Sequence, residues 1–259
     1  MMEKRALTVK NKRQRYAMLD SIRGITLVSM ILYHGIWDLV YIYRVKWDWY
    51  KGTGAYIWQQ SICWTFILLS GFCWSLGKKH LKRGFMVFGG GLLVSIVTLL
   101  IMPENRVLFG VLTLIGSCML LMIPLDKILQ KVLPEIGAVI SFLLFVLTRN
   151  INKGYLGFEK WNLIKLPENW YQGMEGAYLG FMPSDFYSTD YFSLIPWLFL
   201  FLSGYFVSFI FWKRNLFSMP VLKWNILPFS FMGRHSLLIY LLHQPILYLF
   251  WRLIWQFLY

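Results

Sequence analysis

The chain has 259 residues, of which 58% are hydrophobic and only 15% are charged. Soluble globular domains are about 45–50% apolar and about 25% charged, and a mean hydropathy of +0.53 departs from them in the same direction. This composition excludes an ordinary soluble enzyme, a disordered chain and a disulfide-stabilised scaffold. It predicts an integral membrane protein.

The formal net charge is +14 at pH 7. The Lys and Arg residues fall between apolar stretches instead of forming a patch on a soluble domain, which favours contact with anionic lipid headgroups over nucleic acid. The three cysteines, Cys63, Cys73 and Cys118, all lie inside apolar stretches. They are too few and too scattered for a zinc site or a disulfide framework, so we expect no metal. From the distribution of the basic residues we expect no nucleic-acid partner.

Uncharged runs of about 20 residues predict transmembrane helices. The shortest run, residues 136–148, is the weakest of them because Glu135 must lie at the membrane interface. The runs are too long and unbroken for an outer-membrane β-barrel. We therefore predict an all-α polytopic membrane protein with about seven transmembrane helices, at residues 19–43, 52–77, 84–103, 107–125, 136–148, 191–212 and 235–251.

A basic segment, residues 1–18, precedes the predicted membrane domain, residues 19–259. About twice as many Lys and Arg residues fall on the side of the N-terminus as on the opposite side. Because cytoplasmic loops carry the excess of these residues, the N-terminus is predicted to be cytoplasmic, in the plasma or inner membrane. The longest loop, residues 149–190, then lies outside, and its aromatic and Gly residues suit a lid on the membrane surface. A plain connector with interfacial aromatic residues is the alternative.

The first predicted helix carries Asp20, Arg23, His34 and Asp38. At about 100° per residue, the eleven steps from Arg23 to His34 come within about 20° of three full turns, and Asp20 to Asp38 is five full turns. The four residues therefore share one face. That face must meet protein or a water-filled cavity, since lipid does not solvate ionisable groups. His34 and Asp38 are one turn apart and within reach of a mutual hydrogen bond.

Each of the four also has a structural interpretation. Asp is a favoured helix N-cap, and this is the preferred interpretation of Asp20. Arg23 can extend to the headgroups, His34 can be a buried histidine with satisfied hydrogen bonds, and Asp38 can be a structural partner of another helix.

Residues 19–39, LDSIRGITLVSMILYHGIWDL, resemble the first helix of the transmembrane acyltransferases. More narrowly, they resemble bacterial relatives of the heparan-α-glucosaminide N-acetyltransferase catalytic domain. The resemblance covers about residues 15 to 250. Four further segments follow in the order of that family: FILLSGF (66–72), FGVLTLIG (109–116), STDYFSLIPW (188–197) and GRHSLLIYLLHQP (233–245).

The resemblance implies transfer of an acyl group, most simply acetyl, from cytoplasmic acyl-CoA to a sugar or other cell-envelope acceptor on the far side. Acyl-CoA is then a co-substrate, with no bound cofactor, and a homodimer is an arrangement that the family also suggests. Relatives carry an Arg, ten residues and a His in the first helix, which Arg23 and His34 match. That match assigns catalysis to His34 and the acyl donor or a structural role to Arg23.

In the heparan-degrading enzyme the proposed catalytic His lies in the next loop, whereas residues 40–56 contain no His here. An acetyl-histidine intermediate in that loop is therefore not predicted for this protein, and an amino-sugar acceptor cannot be inferred from the resemblance.

An acceptor hydroxyl or amine needs a base, and neutral His is the usual base near pH 7. Asp38 is predicted to accept the other ring N–H of His34, as the acid of a catalytic triad does. Arg23, with Arg234, is predicted to hold the phosphates of acyl-CoA, because the guanidinium stays charged and matches phosphate oxygens.

Three residues are predicted on the acceptor side. His243 precedes Gln244 and Pro245 in the last helix, and it either binds the acceptor, supports the catalytic His or is structural. Asp190, followed by aromatic residues that include Trp197, is predicted to hold acceptor hydroxyls. Interfacial aromatic residues are the alternative interpretation of that segment.

A transporter or flippase for a small polar or glycolipid substrate is the main alternative function, because it would also place ionisable groups in a membrane cavity. Many transporters contain two related halves, and no internal repeat is visible in this sequence. The acyltransferase is therefore the favoured interpretation.

Overall fold

The computed structural model describes residues 15–258, so most of the predicted basic segment, residues 1–18, lies outside the described residues. The described part is a bundle of long helices with one small antiparallel hairpin. The helices are α1 (Ala17–Trp37), α2 (Thr53–Trp74), α3 (His80–Ile101), α4 (Val111–Leu129), α5 (Pro134–Thr148), α6 (Gly173–Leu179), α7 (Leu194–Lys213), α8 (Phe229–Arg234) and α9 (Ser236–Leu258).

All seven predicted membrane helices are present, as α1 to α5, α7 and α9. Six segments of the described chain are long and apolar enough to cross a membrane. The seventh helix, α2, has 22 residues and no charge, and Gln59 and Gln60 lower its hydropathy. The shortest predicted helix is confirmed as α5. A 3₁₀ turn at Ile151–Lys153 follows it, and together they give a span of 20 residues, Pro134–Lys153. The all-α polytopic membrane fold is therefore confirmed.

Helices α2 and α7 form the centre of the bundle because glycines allow their backbones to touch. A Cβ atom on Gly71 would lie 1.9 Å from the Phe201 carbonyl oxygen, and one on Gly204 would lie 2.1 Å from the Leu68 carbonyl oxygen. Small residues at helix interfaces are the usual means of close packing in membranes, where lipid removes the hydrophobic drive for association. The largest buried cluster forms around this contact, with Ile67, Phe145, Trp197, Leu200, Phe201 and Tyr205 among its members.

The short helix α8 packs just as closely on the first turns of α1. A Cβ atom on Gly24 would lie 1.9 Å from the Phe229 carbonyl oxygen, and one on Gly233 would lie 1.8 Å from the Asp20 carbonyl oxygen. This contact holds α8 at one end of α1, while α9 continues from α8 along the rest of α1. The two helices that carry the predicted His residues are therefore neighbours.

The long loop is folded. It contains the hairpin β1 (Tyr155–Phe158) and β2 (Trp161–Lys165), followed by α6. The buried Asn150 joins the loop to the end of α5, since its amide nitrogen donates to the Glu159 carbonyl and to the Asn162 side chain. The loop is therefore structured and anchored to the end of α5.

Helix α1 ends in an unusual way. From Asp38 to Ile42 the backbone adopts a wider π-helical turn, and the Tyr43 N–H donates to the Asp38 carbonyl at 3.1 Å. Such π turns are rare and frequently lie at functional sites. This one begins at a fully buried carboxylate.

Candidate active site

The His34 ring on α1 faces the His243 ring on α9. The ring centroids are 5.1 Å apart, with the ring planes at 60°. His243 is only 9% exposed, and its Nδ1 lies within hydrogen-bonding distance of the Tyr240 carbonyl oxygen. A carbonyl only accepts, so Nδ1 carries the proton and donates it to Tyr240. The Nε2 atom of His243 is then an acceptor, and no described residue donates to it.

Asp38 makes a different contact from the predicted one. Its Oδ1 atom accepts a 2.6 Å hydrogen bond from the Gln244 side-chain amide, across the interface between α1 and α9. No hydrogen bond joins Asp38 to His34 among the described residues, because each of the two side chains turns toward a partner on α9. Asp38 therefore does not orient His34 in this structure, and the carboxylate couples the two helices instead.

Further polar atoms beside this contact lack partners within the described part of the chain: Asp38 Oδ2, Gln244 Oε1 and Trp251 Nε1. A Cβ atom built on Gly35 would lie 3.8 Å from that tryptophan nitrogen, so all three atoms lie where α1 meets α9. Buried polar groups usually have hydrogen-bond partners. Several unpaired ones at one interface therefore indicate a place where a polar ligand or water can bind.

Arg23 lies at the other end of α1. Its guanidinium donates to Asp20 at 3.1 Å and contacts the Cys73 sulfur at 3.2 Å. Asp20 also accepts a 2.6 Å bond from Arg15. The helix begins at Ala17, so Asp20 lies inside its first turn and pairs with arginines. The N-cap interpretation of Asp20 is therefore wrong.

Two more arginines lie near this end. Arg234 ends α8, which is packed on the first turns of α1, and its side chain is exposed. Arg83 of α3, which the sequence analysis did not single out, lies within electrostatic range of Cys73, as Arg23 does. The structure therefore gathers Arg23, Arg83 and Arg234 at one end of the bundle, which the topology prediction places in the cytoplasm.

Asp190 lies at the N-terminus of α4. Its Oδ2 atom accepts from the Val111 N–H at 3.5 Å, a favourable place for an anion because helix N–H groups point outward there. Burial nevertheless raises the pKa of the Asp190 carboxyl to about 6, against the opposing effect of the Val111 bond. The carboxylate is also within electrostatic range of Tyr240. Asp190 therefore lies where the end of the outer loop, the start of α4 and Tyr240 of α9 approach one another.

Trp197 does not line an acceptor site. Its side chain is 3% exposed and packs between Phe145 and Phe192. The Arg149 guanidinium lies 4.8 Å from its ring centroid and donates to Gln60 on α2 at 3.0 Å. The ring is thus part of the core that fixes the outer loop, and it presents no exposed face to an acceptor.

Gln244 and Arg83 are the residues that sequence reasoning missed. Gln244 carried a usable signal, as an uncharged polar side chain next to His243 and before Pro245 in an otherwise apolar helix. Arg83 carried none, because its basic segment fits equally well with topology alone.

These features can be compared with known proteins. The family model described as "Heparan-alpha-glucosaminide N-acetyltransferase, catalytic" matches residues 15–245. The chain belongs to this family. It is therefore a multi-pass membrane protein of an N-acetyltransferase family, and the matched range contains Arg23, His34, Asp38 and His243. No curated protein and no solved structure matches the chain.

Proposed function

We propose that the protein transfers an acyl group from cytoplasmic acyl-CoA to a sugar or other cell-envelope acceptor on the extracytoplasmic side of the plasma or inner membrane, with His34 as the general base. The observation that supports this most is the position of His34. It lies inside the membrane bundle, on a helix whose other end carries Arg23, and it faces a buried second imidazole. Ionisable groups at such depth are functional candidates by default.

The donor would extend along α1. Eleven residues at about 1.5 Å each separate Arg23 from His34 by about 16 Å along the helix axis, of the order of an extended pantetheine arm. Arg23 and Arg234 would hold the phosphates at the cytoplasmic end, with Arg83 close by. The thioester would then lie beside His34. Each arginine stays charged and can bind phosphate oxygens with two donors at once.

The chemistry needs one proton carrier. A bare ring nitrogen of His34 takes the proton of the acceptor hydroxyl or amine as that atom attacks the thioester carbonyl. The tetrahedral intermediate collapses, the C–S bond breaks, and the CoA thiolate takes the proton from the His34 imidazolium. The products are the acylated acceptor and CoA–SH, and His34 returns to its neutral form. No bound cofactor takes part.

On the acceptor side we propose Asp190, which lies within electrostatic range of Tyr240. His243 packs against Tyr240, with ring centroids 5.3 Å apart, and faces the catalytic His34. Asp38, bonded to Gln244, would keep α1 and α9 together around the acceptor. Trp197 is excluded from this role by its burial.

The test is CoA release by the purified protein in detergent, measured as free thiol with acetyl-CoA and a panel of soluble glycosides. We expect release that depends on the acceptor. His34→Ala should lower turnover by about 10²- to 10⁴-fold, the usual value of a general base, and leave acetyl-CoA binding within a few-fold by calorimetry. His235→Ala, a change of an exposed histidine, is the matched control.

If His34→Ala keeps most of its turnover, the proposed base is wrong. If the wild-type protein moves glycosides across liposome membranes and releases no CoA, the transporter alternative is correct.

A further inference from the structure

His243 has a fixed proton arrangement. Its Nδ1–H is committed to the Tyr240 carbonyl oxygen of the same helix. The Nε2 atom of the neutral ring must then be an acceptor, and it is buried without a donor among the described residues. A buried acceptor of this kind calls for an N–H or O–H donor close by.

The neighbouring donors can be compared. The Gln244 amide is already bonded to Asp38. Trp251 is eight residues further along α9, about 12 Å along the helix axis, and its nitrogen lies beside Gly35. Across the interface, the ring of His34 faces His243 with a centroid separation of 5.1 Å and the ring planes at 60°. The two rings are not hydrogen-bonded in this structure, but the separation equals about two ring radii plus an N–H···N bond of about 2.9 Å. A rotation of the His34 ring is therefore enough to bring one of its N–H groups onto His243 Nε2.

We propose that His243 is a positioning residue for His34, an inference that rests on the proposed function. One ring N–H of His34 donates to His243 Nε2, and the His243 Nδ1–H donates to the Tyr240 carbonyl. This chain fixes the tautomer of His34 and leaves its other ring nitrogen bare toward the acceptor. When that nitrogen takes the acceptor proton, the positive imidazolium keeps its bond to His243 Nε2.

The proton balance is simple. The acceptor proton goes to His34 and then to the CoA thiolate, and His243 neither gains nor loses a proton. In this arrangement a backbone carbonyl and a neutral imidazole do what the sequence analysis assigned to Asp38. No further carboxylate is required to orient the base.

Two substitutions separate hydrogen bonding from packing. His243→Gln keeps an acceptor oxygen for His34 and a donor for Tyr240, whereas His243→Leu keeps similar bulk and loses both bonds. We expect His243→Leu to lower kcat by about 10-fold or more without changing KM for acetyl-CoA, and His243→Gln to recover most of the loss. His235→Leu is the control, because His235 also places Nδ1 against a backbone carbonyl, that of Phe231, but is exposed.

A second readout does not depend on turnover. The chain has 4 histidines, so ¹⁵N-histidine spectra of the protein in lipid can be assigned by single substitutions. We expect His243 as the Nδ1–H tautomer, and a His34 signal of one defined tautomer. In His243→Leu the His34 signal should shift to a mixture of tautomers, and in His243→Gln it should stay near its wild-type position.

Unchanged kcat and an unchanged His34 signal in His243→Leu would overturn the proposal, as would a wild-type His243 protonated at Nε2. If His243→Leu does not fold, the wild-type tautomers and His243→Gln still decide it. If His34→Ala remains active, His34 is not the general base of the proposed function, whereas the spectra still show whether the two imidazoles are bonded.

Discussion

Replacing Asp190 by Asn should stabilise the protein at neutral pH. Burial raises the pKa of the Asp190 carboxyl from 3.8 to about 6, so the folded state holds this proton more tightly than the unfolded state. The protonated carboxyl therefore stabilises the folded state fully below about pH 4, and this contribution is lost as the pH rises through about 6. A shift of about two pH units corresponds to about 3 kcal/mol. The lost attraction between a carboxylate and the N-terminus of α4, about 0.3–1 kcal/mol, reduces the gain in the Asn variant.

The measurement is the midpoint of thermal unfolding in detergent between pH 4 and pH 7.5. About 2 kcal/mol in a chain of this size shifts the midpoint by about 4–8 °C. We expect Asp190→Asn to raise the midpoint by that amount at pH 7.5, to match the wild type near pH 4, and to flatten the curve between them. Asp185→Asn, in the exposed part of the same loop, should change neither the unfolding midpoint at pH 7.5 nor the shape of the curve between pH 4 and pH 7.5. A lower midpoint for Asp190→Asn at pH 7.5 would show that the carboxylate is ionised and stabilising, and the reasoning from burial would be refuted.

The same variant tests the acceptor side. If Asp190 contacts the acceptor, Asp190→Asn should raise KM for the acceptor and leave the affinity for acyl-CoA nearly unchanged. Equal losses in both would contradict a role at the acceptor.

Three other outcomes are expected. Gly204→Ala should unfold the protein or lower its free energy of unfolding by about 3 kcal/mol or more, because the added Cβ meets the Leu68 carbonyl oxygen at 2.1 Å. Gly89→Ala is the control: its Cβ meets nothing within 4 Å, so it should be neutral or stabilising in thermal unfolding. Arg23→Ala should raise Kd for acyl-CoA about 10-fold or more, because charged hydrogen bonds are lost, and the Kd of Arg23→Lys should lie between those of the wild type and Arg23→Ala. If calorimetry shows no change in Kd, Arg23 does not belong to the donor site. A membrane-impermeant maleimide should label Ser184→Cys in intact cells, and labelling only after permeabilisation would reverse the predicted orientation.

The sequence by itself determined the class of the protein and the positions of its membrane helices. Uncharged runs of about 20 residues have one stable form in a bilayer, because every backbone polar group must bond within its own segment. This requirement is local, so even the weakest prediction, residues 136–148, is confirmed by α5. Helix geometry alone also predicts a common face for Arg23 and His34, although Arg23 contacts Cys73 of α2 and His34 faces His243 of α9. The ordered motifs pointed to the family that the comparison shows.

Only the tertiary structure decided which side chains meet. Asp38 bonds Gln244, 206 positions away in the chain, and the His34 ring faces His243. Trp197 was expected at an acceptor site but is buried, since its surroundings are set by α5 and the outer loop. These contacts depend on which helices are neighbours, and the close approach of α8 to α1 through Gly24 and Gly233 fixes that arrangement. Helical periodicity gives the face of a residue, but the partner on that face comes from a distant part of the chain.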